Sequence, residues 1–139
     1  MKLIKLPQHV VQKPWGTEVW IHNSQDYCGK LLNFDKVGSR FSMHYHIKKR
    51  ESWYVARGSF KMWYFNLEDA HLIETTLIEG DCVTIERGFP HQLEALEDNS
   101  CIFEVSTEHF DEDSYRLFRK NPNELFGEGL DETTSSPSS

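Results

Sequence analysis

Short runs rich in β-branched and aromatic residues recur along most of the chain, and residues typical of turns separate them. The predicted strands are 17–22, 28–34, 40–46, 51–56, 59–66, 72–78, 82–86, 91–95 and 101–107. Glycines and polar pairs mark most of the breaks between them. Many short strands separated by regular turn signals are typical of β-sandwiches and β-barrels. The pattern therefore predicts an all-β fold built as a sandwich or a barrel.

The strand pattern ends near the C-terminus. Asp113 and Ser114 are residue types that cap helix N-termini, and Pro122 would stop a helix, so we predict one short helix from this cap through Arg119. Residues 127–139 contain three acidic residues and no basic ones, a composition that favours flexibility. We therefore predict one domain over residues 1–126, followed by a flexible, disordered acidic tail over residues 127–139.

Composition narrows the possible partners and compartments. The chain has 139 residues and a formal charge of −7, which suits one globular domain and argues against nucleic acid or an anionic membrane as a partner. No apolar stretch approaches the ~20 residues that span a bilayer, and the N-terminus lacks the apolar region of a secretory signal. Cys28, Cys82 and Cys101 are widely spaced, which favours free thiols in a reducing compartment. We therefore expect a cytoplasmic protein.

Two histidines form the pattern His44-Tyr45-His46 within a predicted strand. Residues two apart on a strand point to the same face, so both imidazoles project together. Glu51 follows after a length that allows a turn and a return strand, and His91 lies in a second strand–turn–strand unit. Several imidazoles with one carboxylate form a ligand set for Zn, Mn, Fe or Ni. These four residues are therefore candidate ligands of a divalent metal.

The spacing around these residues resembles the two motifs of the cupin superfamily. The first motif, G(x)5HxH(x)4E(x)6G, is matched at every fixed position from Gly38 to Gly58, and the second is matched at Gly80, Gly88 and His91. The second motif departs from the pattern where Glu86 replaces proline and Ala95 replaces asparagine. The resemblance implies a double-stranded β-helix, a jelly-roll barrel, with a metal inside its mouth. The implied metal ligands are His44, His46, Glu51 and His91.

Further stretches resemble one cupin family, the type II mannose-6-phosphate isomerase domain. The similarity covers residues 11–116 and includes the entry VQKPWG, the run from Phe41 to Val55, and the segment from Ile85 to Glu94. Lys30 falls where that family has a lysine. The chain departs from the family pattern where His44 stands for a glutamine and Gln92 for an arginine. The resemblance implies a cupin domain that acts on a small sugar or sugar phosphate.

By this resemblance the chain is an aldose–ketose isomerase that interconverts mannose 6-phosphate and fructose 6-phosphate through an enediolate. The reaction needs a base and an electrophile, and a divalent metal (Zn, Mn, Fe, Co or Ni) supplies the electrophile as a Lewis acid. Under this interpretation Lys30 is a positioned cation or acid, and Glu104 is a base or orients a metal ligand. Arg116 would bind the substrate phosphate, since a guanidinium fork suits its oxygens.

Each of these residues also has a structural interpretation. Lys30 could be a solubilising lysine on an edge strand, and Glu104 a hydrogen-bond partner of a ligand histidine. Arg116 could pair with the acidic residues just before it in the sequence. The basic run at 48–50, in the turn between the histidines and Glu51, is predicted to be a solvated loop rather than a phosphate clamp.

Two other functions fit the same sequence. A ligand set of three histidines and one glutamate also suits another metal-dependent cupin enzyme, such as an Fe(II) dioxygenase. The changes at Gln92 and Ala95 allow a sugar-binding cupin without catalytic activity. The eighteen aromatic residues are many for an isolated barrel of this length, so we also expect a homodimer.

Overall fold

The computed structural model describes residues 1–127, which form eleven strands and one short helix. The strands are β1 (His9–Lys13), β2 (Gly16–Asn23), β3 (Cys28–Phe34), β4 (Met43–Tyr45), β5 (Glu51–Arg57), β6 (Ser59–Asn66), β7 (His71–Ile78), β8 (Cys82–Ile85), β9 (His91–Ala95), β10 (Ser100–Ser106) and β11 (Tyr115–Phe118). The helix α1 covers Pro122–Phe126. No helix in this part of the chain is long and apolar enough to cross a membrane.

Two antiparallel sheets face each other. The first has six strands in the order β1-β2-β3-β10-β5-β8, and the second has five in the order β11-β4-β9-β6-β7. Neighbours in each sheet are often distant in sequence, as in the pairing of β10 with both β3 and β5. This arrangement of short antiparallel strands is a jelly-roll barrel. The all-β fold class predicted from the sequence is confirmed.

The apolar core lies between the sheets because alternate residues of each strand point inward. Its largest members are aromatic: Trp15 stacks on Phe34 with ring centroids 4.5 Å apart, and Phe60 meets Phe34 edge-on at 5.0 Å. The inward faces also carry charged residues, and Lys30 and Glu104 are only 2% and 3% exposed. Burying charges is costly unless they are paired. Buried charged residues such as these are therefore candidates for a functional site inside the barrel.

The C-terminal region differs from the prediction. Residues 115–118 form strand β11, which pairs with β4, and the helix begins later, at Pro122. Asn121 caps it: its side chain accepts a hydrogen bond from the backbone of Glu124, and the Glu124 side chain accepts one from the backbone of Asn121. Proline suits the first turn of a helix because it has no N–H to leave unpaired. The predicted helix through Arg119 is therefore absent, and Pro122 instead begins a separate helix that follows strand β11.

Strand β1 was not predicted from the sequence. Of the predicted strand 40–46, only Met43–Tyr45 forms a strand, β4, and Arg40 makes one isolated β-bridge with Glu94. Of the predicted tail, residues 128–139 lie outside the described part of the chain.

Candidate metal centre and cavity

Strand pairing brings the histidines together. His44 on β4 lies directly opposite His91 at the start of β9, and His46 follows β4 by one residue. One ring nitrogen from each of the three histidines lies within 4.8 Å of the others. Glu51, the first residue of β5, places its Oε2 3.4 Å from Nε2 of both His46 and His91. The structure therefore brings the four predicted metal ligands into one cluster.

Backbone carbonyls fix the orientation of each imidazole. Nδ1 lies 2.7 Å from the Ser42 carbonyl in His44, 2.7 Å from the Asp113 carbonyl in His46, and 2.8 Å from the Phe89 carbonyl in His91. A carbonyl oxygen only accepts, so each Nδ1 donates a proton. In the neutral ring, Nε2 then carries a lone pair directed at the cluster. Metal-binding histidines in proteins are commonly held in this way.

The cluster fits a cation. Nε2 of His91 and Oε2 of Glu51 are buried without a hydrogen-bond partner among the described residues. In the neutral tautomer that these carbonyls select, the Nε2 lone pairs of His46 and His91 face Oε2 of Glu51 at 3.4 Å. Burying such acceptors together is costly, and a divalent ion bound between them would remove that cost.

Burial and neighbouring charges keep the cluster in the ligand form. Burial lowers the pKa of His46 to about 4 and holds the pKa of His44 well below its ordinary value. Burial alone would raise the pKa of Glu51, but nearby positive charge, above all the Lys49 ammonium, outweighs it and holds that pKa well below its ordinary value. At neutral pH the two histidines are neutral and Glu51 is ionised, as metal coordination requires.

Lys49 corrects the prediction of a solvated loop at 48–50. Its side chain is 4% exposed, with Nζ 3.2 Å from Oε2 of Glu104 and 3.8 Å from Oε1 of Glu51. Burial lowers the pKa of Lys49, but the two carboxylates more than offset this and raise it. Lys48 and Arg50 are exposed, as predicted. Lys49 therefore neutralises two buried carboxylates next to the candidate metal ligands.

Lys30 and Glu104 lie directly opposite each other on β3 and β10. The ammonium of Lys30 lies 3.5 Å from Oε1 of Glu18 and 4.1 Å from the centre of the Trp20 ring. Since β3 lies between β2 and β10, Lys30 is not an edge-strand lysine. Burial raises the pKa of Glu104 and Glu51 adds to the effect, although Lys49 opposes it. The two residues form part of the cavity wall.

Trp53 links the two buried carboxylates. Its indole Nε1 lies 3.0 Å from Oε1 of Glu51 and 3.4 Å from Oε1 of Glu104, and it donates to both. Beyond Glu104, Nζ of Lys49 also lies 3.4 Å from Nδ1 of His109. Neither Trp53 nor His109 was predicted as a site residue, because the contact of Trp53 with Glu104 and that of His109 with Lys49 join residues more than fifty positions apart.

The histidine cluster opens into a cavity of about 550 Å³. Arg116 on β11 lines it and lies opposite His44 in the register. Lys13, Arg40 and Arg119 also line it. Within residues 1–127, the guanidinium groups of Arg116 and Arg119 make no ion pair. Lys13 pairs with Glu18, and Arg40 pairs with Glu94 and Glu124. Carboxylates also line the cavity, so the cationic groups that it offers without an ion-pair partner among residues 1–127 include Arg116 and Arg119.

Three of the positions that depart from the cupin patterns, Glu86, Gln92 and Ala95, do not line the cavity. Glu86 forms an exposed ion pair with Arg50, with Oε1 2.7 Å from Nε. Gln92 is fully buried, and its amide nitrogen donates to the carbonyls of Phe41, Arg119 and Lys120. Ala95 lies in the apolar core. Gln92 therefore holds the C-terminal segment against the barrel.

No protein family and no curated protein sequence matches the chain. Solved structures match its fold. CapF, the capsular polysaccharide assembling protein of Staphylococcus aureus, is 22% identical with a TM-score of 0.70, over 82% of this chain and 35% of its own. KdgF from Halomonas sp. is 19% identical with a TM-score of 0.64, over 75% of this chain and 89% of its own. Oxalate decarboxylase from Bacillus subtilis is 20% identical with a TM-score of 0.70, over 79% of this chain and 30% of its own.

These proteins are cupin barrels, so this chain has the cupin fold that the two sequence motifs implied. The chain spans about a third of the length of CapF and of oxalate decarboxylase. At these identities the likeness shows the fold and not the activity. The resemblance to the mannose-6-phosphate isomerase domain stays a prediction.

Proposed function

We propose that the chain is a divalent-metal-dependent enzyme that interconverts aldose and ketose forms of a sugar phosphate, with mannose 6-phosphate and fructose 6-phosphate as the pair to test. The observation that supports this most directly is the pair of buried atoms without a hydrogen-bond partner among the described residues, Oε2 of Glu51 and Nε2 of His91. They lie with two further imidazoles in the wall of a cavity that Arg116 and Arg119 also line. Such a set needs a cation, and the cavity next to it has space for a small substrate.

His44, His46, Glu51 and His91 would hold the metal. Bound there, Zn, Mn, Fe, Co or Ni would supply Lewis-acid stabilisation of negative charge that develops on a substrate oxygen. Two solved structures with this fold are consistent with metal chemistry. CapF was solved with a tropolone inhibitor, whose adjacent carbonyl and hydroxyl groups suit a metal, and oxalate decarboxylase contains Mn(II) centres.

Glu104 is the proposed base. Its buried carboxyl has a raised pKa, so it can take a proton from a substrate carbon and return it to the adjacent carbon near neutral pH. Lys49 lies 3.2 Å from one carboxyl oxygen and Trp53 lies 3.4 Å from the other, which fixes the orientation of the carboxyl. Lys30, opposite Glu104 on the next strand, would be a cation or acid beside the same substrate oxygens.

Arg116 is the proposed phosphate contact, and Arg119 adds a second guanidinium to the cavity wall. Planar guanidinium groups bind phosphate oxygens in pairs. Because neither group has an ion-pair partner within residues 1–127, both are available to an anionic substrate.

Two further proposals complete this picture. The three cysteines are free thiols, which fits a cytoplasmic location. We also propose that the protein acts as a homodimer.

The test is hydrogen exchange during isomerisation. The protein is reconstituted with each metal in turn and incubated with mannose 6-phosphate in D2O, and the sugar is followed by NMR. We expect fructose 6-phosphate to form with deuterium at C1, and the remaining mannose 6-phosphate to gain deuterium at C2 through the reverse reaction. The signal should vanish in His46→Ala and persist in His71→Ala, a histidine whose side chain is 64% exposed on β7. Absence of both fructose 6-phosphate and deuterium exchange with every metal would contradict the isomerase proposal.

A second candidate is a different metal-dependent cupin enzyme, for example an Fe(II) dioxygenase. Three histidines and one glutamate suit it equally, and oxalate decarboxylase shares the fold. Oxygen uptake by the Fe(II) protein, without exchange on sugar phosphate, would favour this candidate. Sugar binding without turnover by any metal form would instead favour a binding protein.

A further inference from the structure

His109 lies in the cavity wall, outside the histidine cluster, on the segment that joins β10 to β11. Its side chain is 13% exposed. Nδ1 lies 3.4 Å from Nζ of Lys49, and Nε2 lies 3.0 Å from Oδ1 of Asp111. Because an ammonium only donates, Nδ1 accepts from Lys49, and the neutral ring carries its proton on Nε2 and donates it to Asp111. His109 therefore has the opposite tautomer to the candidate metal ligands, and both of its ring nitrogens have a partner.

A residue far away in the sequence fixes the position of His109. The side-chain nitrogen of Asn23 donates to the His109 carbonyl at 3.0 Å, and the side-chain oxygen of Asn23 accepts from the His109 N–H at 2.9 Å. The Trp20 ring meets the imidazole edge-on, with ring centroids 5.2 Å apart. His109 is therefore held on its backbone and on its ring, although it lies outside the strands. A residue held in this way can fix the position of a more flexible side chain that it contacts.

The flexible side chain beside His109 is that of Lys49, whose ammonium ends a long unbranched stem. Three acceptors lie near this ammonium: Oε2 of Glu104 at 3.2 Å, Nδ1 of His109 at 3.4 Å and Oε1 of Glu51 at 3.8 Å. The two carboxylates compete for the same cation. The imidazole accepts a hydrogen bond without carrying a charge, so it adds a directional contact that does not depend on the charge of either carboxylate.

We propose that His109 is a positioning residue that holds the Lys49 ammonium against Glu104. Its consequence for catalysis rests on the proposed function, in which Glu104 is the base. When Glu104 has taken a proton from the substrate carbon, its carboxyl is neutral and attracts the ammonium less, while Glu51 stays ionised. The hydrogen bond from Lys49 to His109 keeps the ammonium beside Glu104 until the proton is returned to the adjacent carbon.

Leucine and asparagine at position 109 give a matched pair, because their side chains have nearly the same shape and only asparagine can accept a hydrogen bond. The first readout is the exchange of ammonium hydrogens with water, measured by NMR on the metal-free protein with 15N-labelled lysines. The buried ammonium of Lys49 should exchange slowly, and Lys49→Met identifies its signal. Lys30 is also buried and contacts Glu18 and Trp20, so it is the internal reference.

His109→Leu should accelerate exchange at Lys49 roughly fivefold, the effect of losing one hydrogen bond, and should leave Lys30 unchanged. His109→Asn should stay within about twofold of the wild type, because its side-chain oxygen replaces Nδ1 as the acceptor. Circular dichroism checks that each variant is folded. A general loosening of the fold would accelerate exchange at both lysines, so the comparison separates positioning of Lys49 from a structural role.

The second readout is turnover of sugar phosphate by the metal-loaded protein. In His109→Leu we expect kcat to fall roughly tenfold and KM to stay within about twofold, because the base is misplaced while the phosphate contact at Arg116 is unchanged. His109→Asn should recover most of the lost kcat. His71→Leu makes the same replacement at a side chain that is 64% exposed on β7, and it should match the wild type in both readouts.

The inference is overturned if exchange at Lys49 is unchanged in His109→Leu, or if His109→Asn behaves like His109→Leu. It is also overturned if the wild type isomerises a sugar phosphate and His109→Leu does so with the same kcat. If the wild type turns over no sugar phosphate with any metal, the proposed function fails. The ammonium exchange of the metal-free protein then decides by itself whether His109 holds Lys49.

Discussion

Three imidazoles in the cavity are each held by a backbone carbonyl rather than by another side chain. A carbonyl cannot donate a proton, so it selects the tautomer that leaves Nε2 free for a metal. The sequence predicted the histidines and Glu51 from their spacing. It could not predict this orientation, because the carbonyls of Ser42 and Phe89 become hydrogen-bond acceptors only after the turns have formed.

Removing one imidazole should greatly weaken metal binding. We expect His91→Ala to lose affinity for Zn or Mn by at least roughly 100-fold, because a tetradentate set loses one ligand. Isothermal titration calorimetry on the metal-free protein measures this loss. The control is His71→Ala on β7, outside the cavity, which should keep wild-type affinity. Equal affinities in the two variants would exclude the proposed ligand set.

Lys49 is predicted to be the most important buried cation for stability. Replacing it with methionine keeps the side-chain length but leaves the carboxylates of Glu104 and Glu51 without their ammonium. Breaking a buried pair by removing one partner costs about 3–5 kcal/mol. Urea unfolding of Lys49→Met should show a loss of this size, and Lys49→Met with Glu104→Gln should recover part of it.

The neighbouring Lys48 provides the control for this experiment. It is exposed, and its ammonium lies 4.8 Å from the centre of the Phe110 ring. Lys48→Met should therefore change the free energy of unfolding by no more than about 1 kcal/mol. Equal effects at the two positions would contradict the role given to Lys49.

At the level of elements, the segment just before β11 holds the turn that joins β4 to β5. Asp113 is 2% exposed, and its carboxylate accepts hydrogen bonds from the backbone N–H groups of Ile47, Lys48 and Lys49 at 2.9 to 3.1 Å. Its carbonyl accepts from His46. The sequence suggested a helix cap because aspartate suits any set of free N–H groups. Here those groups belong to a distant turn.

Loss of the Asp113 carboxylate should loosen this turn specifically. Asp113→Ala leaves three N–H groups without an acceptor, so we expect a loss of roughly 2 kcal/mol or more in the free energy of unfolding. Hydrogen exchange at Ile47, Lys48 and Lys49 should accelerate. Asp111 is the control, because its side chain is 90% exposed and Asp111→Ala should leave these amides unchanged. If hydrogen exchange at these amides is unchanged in Asp113→Ala, the turn does not depend on the Asp113 carboxylate.

For the whole molecule, the barrel was predictable because strand patterning and turn requirements agree. Gly58 ends the first motif at a φ of 79°, where a Cβ would overlap Ser100, so the turn between β5 and β6 requires glycine. The edge strands β1 and β11 escaped prediction. Each is short and largely exposed, so little alternation of apolar and polar residues marks it. Lys49 and His109 escaped prediction because they lie outside the strands and contact residues far away in the sequence.

The stability of the metal-free protein should fall as the pH falls from 6.5 towards about 4. Burial lowers the pKa of His44, His46 and His109, and that of His109 falls to about 4 with help from Lys30 and Lys49. In this window the unfolded chain, with histidines near 6.5, binds more protons than the folded chain. The free energy of unfolding therefore rises with pH. Glu104, whose pKa is raised by burial, acts in the opposite direction.

His109 allows one contribution to be isolated, because it contacts Lys49 and Asp111 rather than the candidate metal. Urea unfolding in the presence of a chelator, at several pH values across this window, measures the slope. In His109→Gln we expect a slope smaller by up to about 1.4 kcal/mol per pH unit, the effect of one proton. A slope equal to that of the wild type would mean that His109 is protonated to the same extent in the folded and unfolded chains. Burial beside two lysines would then not be what keeps this imidazole neutral.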